Sequence, residues 1–222
     1  MKIYLDTGDL DEIRHALEIG VLDGVTTNQT LIAKEHTKFE TRVKEIVAEF
    51  KKHKVHDFTV SAEVTSTKAD EMIAQGLRLA KIDPHVVIKI PLIPEGLKAV
   101  KALSEKNVKT NVTLCFTPGQ ALLAAKAGAY IISPFVGRLD DIEQRGMKVV
   151  EDIRTIYDNY EYRTLILTAS VRSPEHVIDA AKSKSDIITI PYKVYEQLFK
   201  HPLTDSGLAQ FTKDWEDCKE CH

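Results

Sequence analysis

The sequence predicts an α/β fold, a single-domain (β/α)8 TIM barrel over residues 1–222 with an extra C-terminal helix at about 204–216. Three observations carry this. Eight short β-branched runs recur at intervals of about 20–35 residues, the length of one strand-helix unit. Amphipathic stretches separate them, which implies a parallel sheet covered by helices. The first strand runs into Asp6-Thr7-Gly8-Asp9, without the glycine-rich loop of a doubly wound open sheet. Eight is also the number of strands that closes a barrel.

The expected strands are Lys2–Leu5, Gly24–Thr26, Thr59–Glu63, Val86–Ile90, Thr110–Leu114, Tyr130–Ser133, Thr164–Thr168 and Ile187–Ile190. After the first, Asp9-Leu10-Asp11-Glu12 reads as a capping box. Ile13, Ala16 and Leu17 then share one face, and Gly20 closes the helix. After the second, Phe39, Val43, Ile46, Val47 and Phe50 recur at helical spacing. The basic run Lys51-Lys52-His53-Lys54 ends that helix, where it suits the negative end of the dipole.

Thr117-Pro118 is an N-cap followed by proline at the first helical position. Its helix runs through Leu122, Leu123 and Ala125 to Gly128. Ile142, Val149, Ile153 and Ile156 form the next apolar stripe. Ser173-Pro174-Glu175 repeats the capping device before Val177, Ile178 and Ala181. Phe211 and Trp215, four apart, read as the apolar face of a last helix. Such a helix either closes the barrel or docks on a neighbouring subunit.

Composition narrows the partners. Hydrophobic residues make up 43% of the chain, enough for one large core or two small ones. Thirty basic and 33 acidic residues leave a net charge of -3, so no global field gathers nucleic acid or an anionic membrane. No apolar run approaches the roughly 18–20 residues of a membrane span. The N-terminus starts at once as a strand, without a signal-peptide core, so a cytoplasmic location is expected.

Three cysteines make no disulfide framework, and Cys115 lies in an apolar stretch that suits a core thiol. Cys218-Lys219-Glu220-Cys221-His222 matches the C-x-x-C-H pattern of haem attachment, but no export signal accompanies it. The competing reading is an ordinary tail with adventitious metal binding or thiol oxidation. The eight histidines show no paired ligand spacing, so no metal site or resident cofactor is expected.

In a barrel the chemistry belongs at the C-terminal ends of the strands. Those ends carry Asp6, Thr27, Asn28, Glu63, Lys89, Asn111, Thr113, Ser133, Ser170 and Arg172. Lys89 stands inside the apolar strand Val86-Val87-Ile88-Lys89-Ile90-Pro91. Burial disfavours its charged form, and a neutral amine adds to carbonyls to form a Schiff base. Alternatively, Lys89 snorkels its ammonium to water.

Schiff-base chemistry needs proton carriers, and Asp6 and Glu63 are the inward carboxylates. Each also has a structural reading, Asp6 as a helix cap and Glu63 as partner to a cation. Arg138, and Arg172 beside Ser170 ahead of a helix, suit a phosphate dianion. An ordinary surface arginine is the other reading of Arg172.

Six segments, taken in order, carry a resemblance. They are Gly24-Val25-Thr26-Thr27-Asn28, Ser61-Ala62-Glu63-Val64, Ile88-Lys89-Ile90-Pro91, Asn111-Val112-Thr113-Leu114, Ser133-Pro134-Phe135-Val136-Gly137-Arg138 and Ala169-Ser170-Val171-Arg172. With these, and from Tyr4 to Trp215, the chain resembles the small transaldolases of the transaldolase and fructose-6-phosphate aldolase family.

The resemblance implies a metal-free class I mechanism on sugar phosphates, with Lys89 attacking the C2 carbonyl of a ketose phosphate. It implies that Asp6 manages the proton of the hydroxyl whose loss breaks the C3–C4 bond. It makes Glu63 and Thr113 the holders of a catalytic water, and Asn28 and Asn111 the binders of the dihydroxyacetone hydroxyls. Ser133 matches a substrate contact, and Arg138, Ser170 and Arg172 match the phosphate set. Small members form pentamers that pair into decamers, so a homo-oligomer is expected.

Two positions separate the family's branches. Transaldolases carry Glu and Phe where fructose-6-phosphate aldolases carry Gln and Tyr, and this chain has Glu63 and Phe135. An ionised Glu acts as a base toward water, which Gln does not. The resemblance therefore implies dihydroxyacetone transfer in the pentose phosphate pathway, with release of free dihydroxyacetone as the alternative. A sugar-phosphate binding protein on an inactive barrel is the non-enzyme alternative. One departure stands out. The family usually has proline where this chain has Gln29, which predicts a looser loop around Asn28.

Overall fold

The computed structural model describes residues 1–218. Its strands are β1 (Lys2–Asp6), β2 (Gly24–Thr26), β3 (Thr59–Glu63), β4 (Val86–Pro91), β5 (Thr110–Cys115), β6 (Ile131–Pro134), β7 (Leu165–Thr168) and β8 (Ile187–Ile190). They follow one another in sequence order around a closed barrel, all parallel, with β8 pairing back onto β1. Each expected strand agrees with the observed one to within one residue at either end.

The described residues form eleven helices, where the sequence pattern implied eight covering helices and a tail. They are α1 (Leu10–Ile19), α2 (Gln29–Ala33), α3 (Phe39–Lys52), α4 (Ala69–Ala80), α5 (Pro94–Ser104), α6 (Pro118–Lys126), α7 (Val136–Asp140), α8 (Met147–Asn159), α9 (Pro174–Lys182), α10 (Tyr192–Gln197) and α11 (Pro202–Asp217). The additional pair, α2 and α7, are single short segments in the loops after β2 and β6. Five residues are too few to show a helical period.

Local chemistry accounts for the boundaries and corrects some of them. Asp9 caps α1, its side chain accepting from Asp11 N at 2.7 Å, and Gly20 ends the helix at φ 84°. The return half of the expected capping box is absent. Glu12 instead accepts from the Thr7 hydroxyl, and Asp9 N donates to that same hydroxyl at 3.1 Å. Thr117 and Gln120 form a complete box on α6. Ser173 occupies the N-cap position of α9, but its hydroxyl accepts no cap bond. On that helix Val177 and Ala180 face inward and Ile178 is exposed. Ile142 is also exposed, in the turn between α7 and α8, so its place in the apolar stripe was a coincidence of spacing.

Strand residues alternate between two cores. Leu5, Val25, Val60, Ile88, Val112 and Ile132 point outward to the helices, meeting Ile13, Ile46, Phe50 and Leu103. Each such aliphatic side chain contributes about 1.5–3 kcal/mol by leaving water. The opposite parity forms an inner cluster of Tyr4, Val87, Ile131, Leu167 and Ile187 that fills the N-terminal half of the barrel. Tyr4 accepts a hydrogen bond from Thr59 Oγ1 at 2.7 Å, and burial pushes its hydroxyl up to about 12. Gly24 is needed beside it, because an added Cβ would stand 2.8 Å from the Tyr4 ring and 2.6 Å from the Thr59 carbonyl.

α11 buries none of its residues, with Leu203 and Phe211 each 74% exposed. It does not close the barrel, which removes one of its two expected roles. Cys218 follows α11, and the haem reading of the tail falls on Cys221 and His222, outside the described residues. Among the described residues, no helix is long and apolar enough to cross a membrane.

Candidate active site

Above the apolar plug, the inner face turns polar. Strand register places Glu63, Lys89 and Asn111 side by side on β3, β4 and β5. Lys89 is 6% exposed, so the snorkelling reading fails. Its ammonium lies 3.5 Å from Glu63 Oε2 and 3.4 Å from the Thr27 carbonyl. The cation that the structural reading of Glu63 required is thus Lys89 itself. Burial holds the Glu63 carboxyl above its ordinary value, Lys89 pulls it back, and Asp6 adds to the rise.

Asp6 ends β1 and is not the helix cap, a role Asp9 fills. Its Oδ1 accepts from Thr26 Oγ1 at 2.7 Å, and Thr26 lies 2.7 Å from the Thr189 hydroxyl. With the Thr26 proton directed to Asp6, Thr189 donates to Thr26. Asn111 is fully buried, donating to Ser61 Oγ at 3.1 Å and accepting from Ser133 Oγ at 2.6 Å. The Thr113 hydroxyl is buried with no hydrogen-bond partner among the described residues.

A cavity of about 240 Å3 opens at this end of the barrel. Asp6, Asn28, Lys89, Ser133, Phe135, Arg138, Ser170 and Arg172 all line it. A second hollow of about 360 Å3 adjoins it, sharing Asn28, Lys89, Phe135 and Arg138 and adding Glu63 and Thr113. Of the eleven residues that the resemblance singles out, ten therefore line this vestibule, while the strand-end Thr27 does not. Asn111 is the exception among the eleven and supports the wall through Ser61 and Ser133.

Two loops carry the arginines. Arg138 lies over the Phe135 ring, 5.2 Å from its centroid, and Phe135 meets Phe116 edge-on. Arg172 pairs with Asp141 at 2.9 Å. Ser170 holds φ 61° and Leu114 φ 62°, two left-handed residues at strand ends bordering the site. Leu114 sits where the β5–β6 register shifts, which turns the chain away just after Thr113.

Sequence reasoning missed Thr26 and Thr189 and misread Gln29. The first two share the inward parity of their strands, and a threonine at such a position was the available signal. Gln29 corrects the expected looseness. Its Nε2 donates to the Glu63 carbonyl at 3.2 Å and the Val64 carbonyl at 2.9 Å, tying α2 to the end of β3. Asn28 caps α2, its side chain accepting from Leu31 N at 2.9 Å. Among the described residues no three His, Cys, Asp or Glu side chains gather to hold a metal ion.

Comparison with known proteins gives the family. A probable transaldolase of Geobacter sulfurreducens is 57% identical over 216 residues, covering 97% of this chain and 98% of that protein. One of Aquifex aeolicus is 56% identical over 220 residues, covering 99% of each. A thiamine phosphate pyrophosphorylase from Pyrococcus furiosus superposes with a TM-score of 0.59 over 86% of this chain and 85% of its own, at 15% identity, which speaks to the fold alone. The family model for transaldolase/fructose-6-phosphate aldolase matches residues 3–221. The family match spans nearly the whole chain and these relatives align almost end to end, so the chain belongs to the transaldolase/fructose-6-phosphate aldolase family.

Proposed function

We propose that the chain is a transaldolase. It moves a dihydroxyacetone unit from fructose 6-phosphate or sedoheptulose 7-phosphate to erythrose 4-phosphate or glyceraldehyde 3-phosphate, in the pentose phosphate pathway of the cytoplasm. The observation that carries this reading is Lys89, buried at the inward end of β4 in the same cavity as the Asp6 carboxylate.

Lys89 Nζ adds to the C2 carbonyl of the donor, and loss of water gives an iminium. Asp6 takes the proton of the C4 hydroxyl as the C3–C4 bond breaks. The bonding electrons pass into an enamine, and the aldehyde leaves. The enamine carbon then attacks the acceptor aldehyde, whose oxygen takes back the proton held by Asp6, and water hydrolyses the new iminium to free Lys89. Glu63 and the partnerless Thr113 hydroxyl suit the holding of that water, since a buried hydroxyl left unpaired costs about 1–3 kcal/mol.

Asn28 and Ser133 serve the donor hydroxyls, with Asn111 behind the wall holding Ser133 in place. Arg138, Ser170 and Arg172 serve the phosphate. Glu63 and Phe135 favour transfer over release of dihydroxyacetone. The exposed apolar residues Leu203, Leu208 and Phe211 of α11 favour a homo-oligomer, a pentamer or decamer.

Borohydride reduction in the presence of fructose 6-phosphate, followed by peptide mapping, tests the reading. A stable adduct on Lys89 is expected. Its absence excludes a Schiff-base enzyme and leaves a binding protein. Turnover independent of acceptor would instead assign the aldolase.

A further inference from the structure

The two arginines assigned to the phosphate come from different loops, and something must set their separation. Arg138 is on α7, and Arg172 is in the connection between β7 and α9. The main chains are already joined, with Val136 N donating to the Ala169 carbonyl and Gly137 N to the Ser170 carbonyl, each at 3.0 Å. A side-chain bridge completes the joint. His176, on the first turn of α9, accepts from Arg172 N through Nδ1 at 3.2 Å.

A ring nitrogen that accepts an N–H carries no proton. The proton of His176 is therefore on Nε2, which stands 3.1 Å from Asp140 Oδ2 and donates to it. Asp140 is fixed in turn, its Oδ1 accepting from Gly146 N at 2.9 Å. The neighbouring Asp141 accepts from the Arg172 guanidinium at 2.9 Å. The helix that presents Arg138 thus grips Arg172 twice, by its main chain through His176 and by its side chain through Asp141. The His176 side chain is 17% exposed and lies outside both hollows of the vestibule.

We propose that His176 is a positioning residue for the phosphate cradle, holding the Arg172 amide to Asp140 and so fixing the spacing of the two arginines. It acts through Arg172 and does not touch substrate. This rests on the assignment of Arg138 and Arg172 to the phosphate. A fixed neutral imidazole with both nitrogens engaged aims its neighbours better than a flexible contact does.

The test compares two acceptors, glyceraldehyde 3-phosphate and D-glyceraldehyde, at saturating donor. His176→Ala is expected to raise KM for the phosphorylated acceptor roughly five- to tenfold, the worth of one lost orienting hydrogen bond. KM for D-glyceraldehyde and kcat should stay within about twofold, because neither depends on the cradle. His176→Asn keeps an acceptor where Nδ1 stands and should restore the phosphorylated KM.

Asp140→Ala removes the far end of the bridge and should repeat the signature, which covers the case in which His176→Ala does not fold. Equal losses with both acceptors, or no loss with either, would overturn the proposal. Arg172→Ala separates the two readings. If it leaves the preference for the phosphorylated acceptor intact, the cradle assignment falls. If it abolishes that preference while His176→Ala and Asp140→Ala do not, the role of His176 alone falls.

Discussion

The Lys89 ammonium stands 3.5 Å from the Glu63 carboxylate, and the two residues are direct partners in the β3–β4 register. Both side chains are largely withdrawn from water. Adjacent strands of a barrel do not slide, so register alone fixes this approach. A charge pair in such a place rarely gains net stability, because desolvation offsets the attraction. Its value lies in holding an amine and a carboxylate at a working distance.

Lys89→Arg keeps a positive charge beside Glu63 but places a guanidinium that stays protonated where the proposed mechanism needs an attacking amine. Transfer from fructose 6-phosphate is expected to fall to background, and borohydride to trap nothing. Measurable turnover in a coupled assay would remove Lys89 from the chemistry.

Glu63→Gln separates stability from activity. Burial holds the Glu63 carboxyl above its ordinary 4.5, so the folded chain binds that proton more tightly than the unfolded chain does. Ionised Glu63 therefore lowers stability above its folded titration point, and the penalty vanishes as pH falls below the unfolded value. The Gln variant should unfold at a higher temperature than the wild type at neutral pH. The gap should close toward pH 4, where wild-type Glu63 is protonated too. Transfer should drop, since Gln is no base toward water. Calorimetric scans across that pH range check the sign.

Phe135→Tyr adds a hydroxyl at the cavity wall, beside Arg138 and across from Lys89. A hydroxyl near the enamine supplies a proton and lets the ketone leave. The ratio of dihydroxyacetone release to transfer should rise, by about a hundredfold if the hydroxyl is well placed, the low end of what a positioned proton donor contributes. An unchanged ratio would refute the branch argument.

Gly137→Ala should be damaging, because the new Cβ would stand 2.1 Å from the Ser170 carbonyl and 2.8 Å from the Arg172 side chain. The joint between the two arginine loops must open. A loss of about 2–4 kcal/mol, a Tm fall of roughly 5–15 °C, is expected. Gly207→Ala is the control. A Cβ there meets nothing within 4 Å, and Tm should not fall.

A chain ending at Lys200 lacks α11. Light scattering should show a smaller assembly than the full chain, with the barrel still folded. An unchanged mass would mean that other surfaces hold the subunits together.

The barrel was legible because its strands are β-branched and end in polar residues, and because Lys89 interrupts an apolar run. Thr26 and Thr189 were harder, since threonine is an ordinary strand residue and acquires meaning only when closure assigns it to the inner face. α2 and α7 were invisible because five residues show no period. Glu12 and Ile142 misled for opposite reasons. The first found a better partner in Thr7, and the second fell in phase by chance. Gln29 was read by what it lacks, a proline ring, whereas its carboxamide supplies two bonds that do the bracing. The His176 bridge left no trace in the pattern, because it joins groups from separate loops.

The cluster of Tyr4, Val87, Ile131, Leu167 and Ile187 seals the lower barrel, each of these residues 1% exposed or less. Among the described residues that cluster closes the vestibule from below, so it opens on the side of the strands' C-terminal ends. For a transferase this dictates traffic. The aldehyde cleaved from the donor has to depart by the route its successor uses to arrive, so the two never pass. On the proposed Schiff-base reading, departure and arrival then alternate at that one end, with the three-carbon unit held on Lys89 between them.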